Sequence, residues 1–213
     1  MDSVHLILAS KSPRRQEILQ LCGEPFLVAA ANVDEDGIEV SVKRTCKDQE
    51  FNLMASRIVM ELAKAKARQV LNKYPEAIVI GADTIVIIDE SILGKPSTEE
   101  DAFAMLRKLS GRRHHVLTGV SILSREREET FYTSAGVHFY PWYPEGEDLA
   151  RRYIDTGSPL DKAGAYGIQD MGALFVKSIE GDYYTVMGLP VAEVYRRLKN
   201  FGFRNKTGGL SDP

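Results

Sequence analysis

The segment from Ile7 to Leu19, ILASKSPRRQEIL, has two arginines at the predicted start of a helix. Ser12 occupies the N-cap position and Pro13 suits the first helical position. Because a helix N-terminus carries about half a positive charge, Arg14 and Arg15 cost a few tenths of a kcal/mol each unless an anion is bound. Guanidinium groups at this place are typical of a phosphate site, and two solvated surface arginines are an equal alternative.

Two acidic positions are candidates for catalysis or metal binding. Asp83 interrupts the apolar stretch AIVIGADTIVII, and a carboxylate buried there needs a cation, a metal ion or several hydrogen bonds. Glu35 lies between two aspartates beyond a strand-like segment, where oxygen ligands suit Mg²⁺. The alternatives are a turn cap at Asp83 and a solvated acidic loop around Glu35. Taken alone, the segment around Glu35 is interpreted as a solvated acidic loop, because it lacks the residue spacing of a calcium-binding loop.

The segment 161–169, DKAGAYGIQ, combines small residues with Lys162 and Gln169. Small residues let the backbone approach a flat or charged ligand, and the Gln169 amide has donor and acceptor groups that can read a base edge. Lys66 and Lys95 are further cationic candidates. Each feature also has an ordinary explanation, a tight turn for the loop and surface exposure for the lysines.

Several functional classes are disfavoured by the motifs. The chain has neither the G-x-S-x-G sequence of serine hydrolases nor the G-x-x-x-x-G-K-[ST] loop of P-loop enzymes. His114 and His115 are adjacent on a predicted strand, so their side chains point to opposite faces and are interpreted as structural. The aromatic residues are too scattered to form a base-stacking platform.

The composition is that of a globular protein. The 213 residues are 44% hydrophobic and 27% charged, with a net charge of −3, which disfavours a nucleic-acid-coating surface and permits a local anion site. Cys22 and Cys46 have no C-x-x-C spacing, and the N-terminus has no signal-like segment, so a reducing cytoplasm is expected. No apolar run approaches the roughly 20 residues that span a bilayer, so no membrane association is expected.

Helical and strand patterns alternate along the chain, which predicts an α/β protein. The predicted helices cover residues 13–23, 52–74, 97–111 (with Ser97 and Glu100 in capping-box spacing), 145–157 and a segment from about residue 190. The predicted strands cover residues 4–9, 77–83, 114–123 and 130–142, with a further strand after the glycine-rich loop. The segment 37–51 is interpreted as polar and irregular. Without repeats or a linker, the chain is predicted to be one domain over residues 1–203, followed by a flexible tail over residues 204–213.

A series of motifs extends in order from about residue 4 to residue 200: LASKSPRRQEIL, VDE, AKAKA, GADTIV followed by GKP, KLSGRRHHVLTGV, and DKAGAYGIQDMGALFVKSIEGDYYTVMGLP. Together they resemble the Maf family of nucleoside triphosphate pyrophosphatases. The resemblance implies an α/β fold similar to that of the inosine triphosphate pyrophosphatases, with an elongated mixed central sheet flanked by helices and a cleft between two lobes. It also implies a divalent metal cofactor (Mg²⁺ or Mn²⁺), a homodimer, and a cytoplasmic house-cleaning role that is sometimes linked to septum formation and cell-division arrest.

The resemblance also implies site residues. Eight residues match positions that the family has in its active site: Ser10, Arg14, Arg15, Glu35, Lys66, Asp83, Lys95 and Gln169. The resulting hypothesis assigns catalysis to Asp83, Glu35, Lys95 and Lys66, metal binding to Glu35 and Asp83, and substrate binding to Ser10, Arg14, Arg15, Thr84, Lys162 and Gln169. Cations surround the phosphate tail in this hypothesis, and Asp83 orients and deprotonates the attacking water.

Three short segments indicate the branch of the family. This chain has SPRR, ADT and KAGAYGIQ where the branch resembling 7-methyl-GTP pyrophosphatases has SPWR, SDQ and a CAGSFKSEG-like loop. Arg14, Thr84 and Gln169 therefore favour the dTTP/UTP branch, with Thr84 and Gln169 reading the pyrimidine carbonyl and imide groups.

The alternatives are a non-catalytic nucleotide-binding regulator of septum formation, a 7-methyl-GTP-type pyrophosphatase, and a phosphatase that releases the terminal phosphate. The segment 37–51 is longer and less regular than the family usually has.

Overall fold

A computed structural model describes residues 5–203 of the chain as a mixed α/β structure. Its strands are β1 (Leu6–Leu8), β2 (Phe26–Val28), β3 (Ile78–Ile88), β4 (Ser91–Leu93), β5 (Arg113–Leu123), β6 (Glu128–Phe139) and β7 (Val176–Glu180). Its α-helices are α1 (Pro13–Gln20), α2 (Glu35–Thr45), α3 (Phe51–Leu71), α4 (Glu99–Leu109), α5 (Pro144–Asp155), α6 (Tyr183–Met187) and α7 (Val191–Leu198). The predicted α/β class is confirmed, and the predicted tail, residues 204–213, lies outside the described residues.

The strands form one mixed sheet in the order β2-β1-β3-β5-β6-β7, with β4 paired to β3. β1 runs parallel to β2 and β3, and the other pairs are antiparallel. On one edge of β3, β1 pairs with Ile78–Ile80 and β4 pairs with Val86–Ile88. The intervening residues Gly81–Ile85 pair with neither strand on that edge, which leaves room for a ligand beside the middle of β3.

Both faces of β3 are covered, which explains its nearly continuous apolar sequence. On one face, Ile85 and Ile87 pack against Ala55 and Val59 of α3. On the opposite face, the even-numbered residues of β3 join two other clusters, which also contain residues of α1, α4, α5 and α7. Each fully buried Leu or Ile stabilises the fold by about 1.5–3 kcal/mol relative to an exposed one.

Two glycines let α3 lie directly on the sheet. A Cβ atom on Gly81 would lie 2.1 Å from the carbonyl oxygen of Ala63, and one on Gly119 would lie 2.3 Å from that of Val59. Atoms that close would have to move apart, so only glycine permits this approach of helix and strand. The contact brings Lys66 of α3 to the β3 strand.

The interpretation of residues 37–51 as irregular is wrong, because α2 covers most of this segment. Asp34 caps the helix by accepting a hydrogen bond of 2.9 Å from the backbone N–H of Gly37. Acidic residues in the first turn and basic residues in the last turn complement the helix dipole. Ile38, Val42 and Cys46, at i, i+4 and i+8, pack on α3, and this spacing was the signal for a helix.

Two smaller predictions also differ from the structure. The N-cap of α4 is Thr98, which accepts a hydrogen bond from the Asp101 N–H, and not Ser97. The five-residue helix α6 was not predicted, because its start depends on Asp182, whose carboxylate accepts hydrogen bonds from the N–H groups of Tyr184 and Thr185. Within residues 5–203, no helix is long and apolar enough to cross a bilayer.

Candidate active site

One cleft with a volume of about 990 Å³ contains all ten residues that the sequence nominated. It lies beside residues 83–86 of β3, between the start of α1, the start of α2 and the 161–169 loop. The ten residues are Ser10, Arg14, Arg15, Glu35, Lys66, Asp83, Thr84, Lys95, Lys162 and Gln169. Residues that are up to 159 positions apart in the chain therefore share one cavity.

An ion-pair triad occupies the α3 side of the cleft. The Lys66 Nζ atom lies 2.6 Å from Asp83 Oδ1 and 2.8 Å from Glu35 Oε1. The side chains of Lys66 and Asp83 are 13% and 12% exposed, whereas that of Glu35 is 57% exposed. The carboxylate that interrupts the apolar sequence of β3 is thus paired with a cation, as burial of a charge requires.

The two arginines of α1 have different surroundings. Arg14 Nη1 lies 3.4 Å from both carboxylate oxygens of Asp161, which is a long contact near solvent. Arg15 is directed inward, and its guanidinium donates to Gly188 O at 2.9 Å, to Thr84 Oγ1 at 3.0 Å and to Ser10 Oγ at 3.3 Å. Burial lowers the pKa of Arg15, and the nearby Asp83 and Glu35 carboxylates oppose this shift. Arg15 is therefore held by neutral groups of the protein.

A chain of hydroxyl groups lies behind Arg15, and the sequence did not point to it. Thr84 Oγ1 lies 2.9 Å from Thr118 Oγ1, and Thr118 Oγ1 donates to the Thr185 carbonyl at 2.8 Å. Thr118 and Thr185 are fully buried. The register that pairs Thr84 with Thr118 across β3 and β5 could have been found only after the strand pairing was known.

Hydrogen bonds from Lys162 hold the 161–169 loop in place. Lys162 Nζ donates to Ser158 O, Ser158 Oγ and Asp161 Oδ1 at 2.6 to 2.9 Å, which uses all three ammonium donors. Gly164 and Ala165 both have positive φ angles, of 69° and 61°. The small residues of this loop therefore serve its backbone conformation, and Lys162 stabilises it.

Lys95 and Gln169 are exposed and face the same cleft. Neither side chain has a hydrogen bond or ion pair within residues 5–203. The GKP segment is connected to the glycine-rich loop, because the Gly164 N–H donates to the Gly94 carbonyl at 3.0 Å. Lys95 and Gln169 are thus available to a ligand without first leaving another partner.

His114 is a buried histidine on the face of β5 that carries Thr118, in agreement with its structural interpretation. Its Nε2 atom lies 2.8 Å from the Tyr166 hydroxyl, and both rings contact Phe139 edge-on. Burial, with smaller contributions from neighbouring histidines, lowers the pKa of His114 to about 3. The imidazole is therefore neutral at physiological pH.

The acidic residues of the cleft fit a metal that arrives with a phosphorylated ligand. No cluster of three or more His, Cys, Asp or Glu side chains suited to a metal is present in the described part of the chain. Glu35 and Asp83 nevertheless meet at one cationic group, Lys66. Mg²⁺ is commonly held by one or two carboxylates together with substrate phosphates and water, so two acids are a sufficient protein contribution.

Comparisons with known proteins find a matching family and several similar proteins. The chain matches a family described as Maf-like protein over residues 5–201. It is 48% identical over 199 residues to the dTTP/UTP pyrophosphatase of Bacillus velezensis, covering 93% of this chain and 97% of that protein. It is 48% identical over 198 residues to the dTTP/UTP pyrophosphatase of a Geobacillus species (93% and 98% covered) and 44% identical over 204 residues to that of Symbiobacterium thermophilum (96% and 97% covered).

Proposed function

This chain belongs to the Maf family, and from that premise we propose that it hydrolyses dTTP and UTP to the nucleoside monophosphate and pyrophosphate. The observation that carries the proposal is the convergence of a buried carboxylate, its lysine partner and unpaired cationic and amide side chains in one cleft. A nucleoside triphosphate needs these groups, because its phosphates are anionic and its base has donors and acceptors.

In the proposed reaction, a water molecule attacks the α-phosphorus. The new bond joins the water oxygen to the α-phosphorus, and the bond from that phosphorus to the α–β bridging oxygen breaks, so pyrophosphate leaves with the electron pair. Asp83 accepts the proton of the water through Oδ2, which has no partner within residues 5–203. Lys66 holds Oδ1 and orients the carboxylate. A positioned base of this kind contributes about 10²- to 10⁴-fold in rate.

The cations of the cleft are proposed to bind the phosphate tail. Lys95 has no partner to exchange, and Arg14 has only the long contact with Asp161. Glu35 and Asp83 would hold Mg²⁺ or Mn²⁺ together with phosphate oxygens, and the ion would neutralise charge on the phosphates. Arg15 and Lys162 are proposed to act less directly, because protein groups already occupy most of their donors.

The pyrimidine base of the nucleotide is proposed to lie near Thr84, on the face of β3 opposite to Asp83. The cleft wall there is apolar and contains Val86, Val116, Val186 and Met187. Such a wall suits a flat ring, and Thr84 and Gln169 are the polar groups that can read its edge. A pyrimidine with an imide group would satisfy both side chains.

A cytoplasmic homodimer with a house-cleaning role is part of the proposal. The family resemblance supports the dimer and the role, and the free, buried cysteines Cys22 and Cys46 are typical of a reducing compartment. Light scattering on the purified chain tests the dimer directly, since a mass near 47 kDa is expected for two chains of 23.7 kDa.

Product analysis tests the proposed reaction. Purified protein is incubated with Mg²⁺ and dTTP, UTP, GTP, ATP or 7-methyl-GTP, and the products are separated by anion exchange. We expect dTMP or UMP plus pyrophosphate, with much slower turnover of the purine nucleotides. A nucleoside diphosphate plus inorganic phosphate would indicate a phosphatase, and binding without turnover would indicate a regulator. Fastest turnover of 7-methyl-GTP would indicate the 7-methyl-GTP branch of the family.

A further inference from the structure

The hydroxyl chain behind the cleft has a defined direction of hydrogen bonding. The Thr185 carbonyl can only accept, so the Thr118 hydroxyl, 2.8 Å away, must donate its single proton to it. Thr118 Oγ1 can then only accept from Thr84 Oγ1 at 2.9 Å, so Thr84 donates its own proton inward. At 3.0 Å, Arg15 Nη2 donates to the same Thr84 oxygen.

This direction leaves Thr84 with one kind of bond for a ligand. A hydroxyl group has one proton and two lone pairs. The Thr84 proton points to Thr118 and one lone pair accepts from Arg15, so one lone pair remains for the cleft. Thr84 can therefore accept a hydrogen bond from a ligand and cannot donate one while the chain is intact.

Thr185, the last residue of the hydroxyl chain, is itself held in place by hydrogen bonds. The Thr185 hydroxyl donates to Asp182 Oδ2 at 2.8 Å and lies 2.8 Å from the hydroxyl of Thr133. Asp182 also accepts from the Thr185 N–H, which fixes the first turn of α6. Since Thr118 and Thr185 are fully buried, water cannot supply a substitute acceptor without a rearrangement of the core.

Gln169 cannot provide the same selection. Its amide has no hydrogen-bond partner within residues 5–203, so the group can rotate to present either its donor or its acceptor. A rotatable amide can pair equally well with the donors and acceptors of uracil and with those of cytosine. Discrimination between two pyrimidines of similar shape must come from a group whose proton has a fixed direction.

We propose that Thr118 is a positioning residue for base selection, because it makes Thr84 an acceptor toward the ligand and so favours imide pyrimidines over cytosine. This inference rests on the proposed function. Uracil and thymine have an N3–H donor, which Thr84 can accept, whereas the N3 atom of cytosine is itself an acceptor and would face the Thr84 lone pair. Loss of the Thr118 hydroxyl frees the Thr84 proton to turn into the cleft, where it can donate to cytosine N3.

The test compares kcat/KM for UTP and CTP in wild type and Thr118→Val, which keeps the shape of the side chain and removes its hydroxyl. Wild type should prefer UTP, and the ratio should fall at least about fivefold in Thr118→Val. Thr118→Ser should restore the ratio, because the hydroxyl returns. Ser121→Ala is the matched control, since the hydroxyl of this buried β5 residue has its one hydrogen bond within residues 5–203 with Thr130. The UTP/CTP ratio of this variant should equal that of wild type.

Each outcome decides between the two proposals. An unchanged ratio in Thr118→Val, or equal turnover of UTP and CTP by wild type with release of pyrophosphate, overturns the inference and leaves the proposed function intact. Turnover of neither nucleotide by wild type contradicts the proposed function and the inference together. If Thr118→Val does not fold, Thr84→Val applies the same test, because loss of the acceptor should lower kcat/KM for UTP more than for CTP. Equal losses would contradict the inference.

Discussion

Asp83 and Thr84 are neighbours in β3, but their side chains lie on opposite faces of the strand and in different kinds of surroundings. On the face toward α3, Asp83 and Glu35 share the ammonium group of Lys66. On the other face, Thr84 belongs to a chain of hydroxyl groups and a backbone carbonyl, and neutral groups of the protein hold Arg15. One cleft therefore joins an ionic face and a hydrogen-bonded face.

The two faces differ in how easily their groups can change partners. Glu35 is 57% exposed, so its ion pair with Lys66 can open at a cost of about 1 kcal/mol or less. Thr118 and Thr185 are fully buried, and breaking their hydrogen bond leaves unsatisfied groups at about 1–3 kcal/mol each. The ionic face thus suits groups that move during a reaction, and the hydrogen-bonded face suits a fixed pattern of donors and acceptors.

The largest expected effect concerns the ionic face. Asp83→Asn keeps the size of the side chain but removes the base, so kcat for dTTP should fall about 10²- to 10⁴-fold. Steady-state kinetics measures the loss, and circular dichroism should show an unchanged fold. Asp155→Asn, an exposed change at the end of α5, is the control and should retain full activity. A loss of less than tenfold in Asp83→Asn would exclude Asp83 as the base.

The second prediction concerns the close contact between the sheet and α3, the helix that carries Lys66. In Gly119→Ala, the new Cβ would lie 2.3 Å from the Val59 carbonyl oxygen, so α3 must move away from β5. We expect a decrease of roughly 2 to 3 kcal/mol in the free energy of unfolding, measured with urea. Gly94→Ala is the control, because its Cβ has no atom within 4 Å. Equal stability of the two variants would show that α3 does not depend on this contact.

The third prediction concerns the neutral character of the opposite face. The pKa of His114 is lowered to about 3 in the folded protein, so only the unfolded state takes up its proton between pH 6.5 and 3. Stability from this residue is complete above pH 6.5 and is lost as the pH falls, by about 2 kcal/mol at pH 5. Urea unfolding of wild type and His114→Gln at pH 7 and pH 5 measures the difference.

The variant should lose about 2 kcal/mol less stability than wild type between the two pH values, because it has no imidazole to protonate. The same pH dependence in His114→Gln and wild type would mean that this face accepts a charged imidazole.

The smallest expected effect concerns the ion pairs of Asp161, whose side chain is 61% exposed, at the rim of the cleft. Asp161 is the partner of both Arg14 and Lys162, so its carboxylate competes with a phosphate ligand for these cations. Asp161→Asn should tighten binding of pyrophosphate about two- to fivefold, in keeping with the modest strength of exposed pairs. Calorimetric titration with pyrophosphate and Mg²⁺ measures the change, and weaker binding in the variant would contradict it.

Local patterns predicted much of the secondary structure. Helical spacing predicted α3, capping-box spacing predicted α4, and the strand patterns of residues 114–123 and 130–142 predicted β5 and β6. The helix α2 was missed, although Ile38, Val42 and Cys46 have helical spacing, because a polar segment gives a weak apolar signal. All ten nominated residues line the cleft, and their nomination came mainly from the order of motifs along the chain.

The sequence by itself determined which chemical groups are present, and through its motifs it determined the family. Only the tertiary structure decided which donors those groups still have available: Arg15 and Lys162 are cations in any reading of the sequence, but Gly188 and Ser158 already occupy part of their bonding capacity. The direction of the Thr84 proton likewise depends on Thr118 and on the Thr185 carbonyl. A hydrogen bond requires two groups within about 3 Å of each other, and for residues far apart in the chain only the folded structure defines that distance.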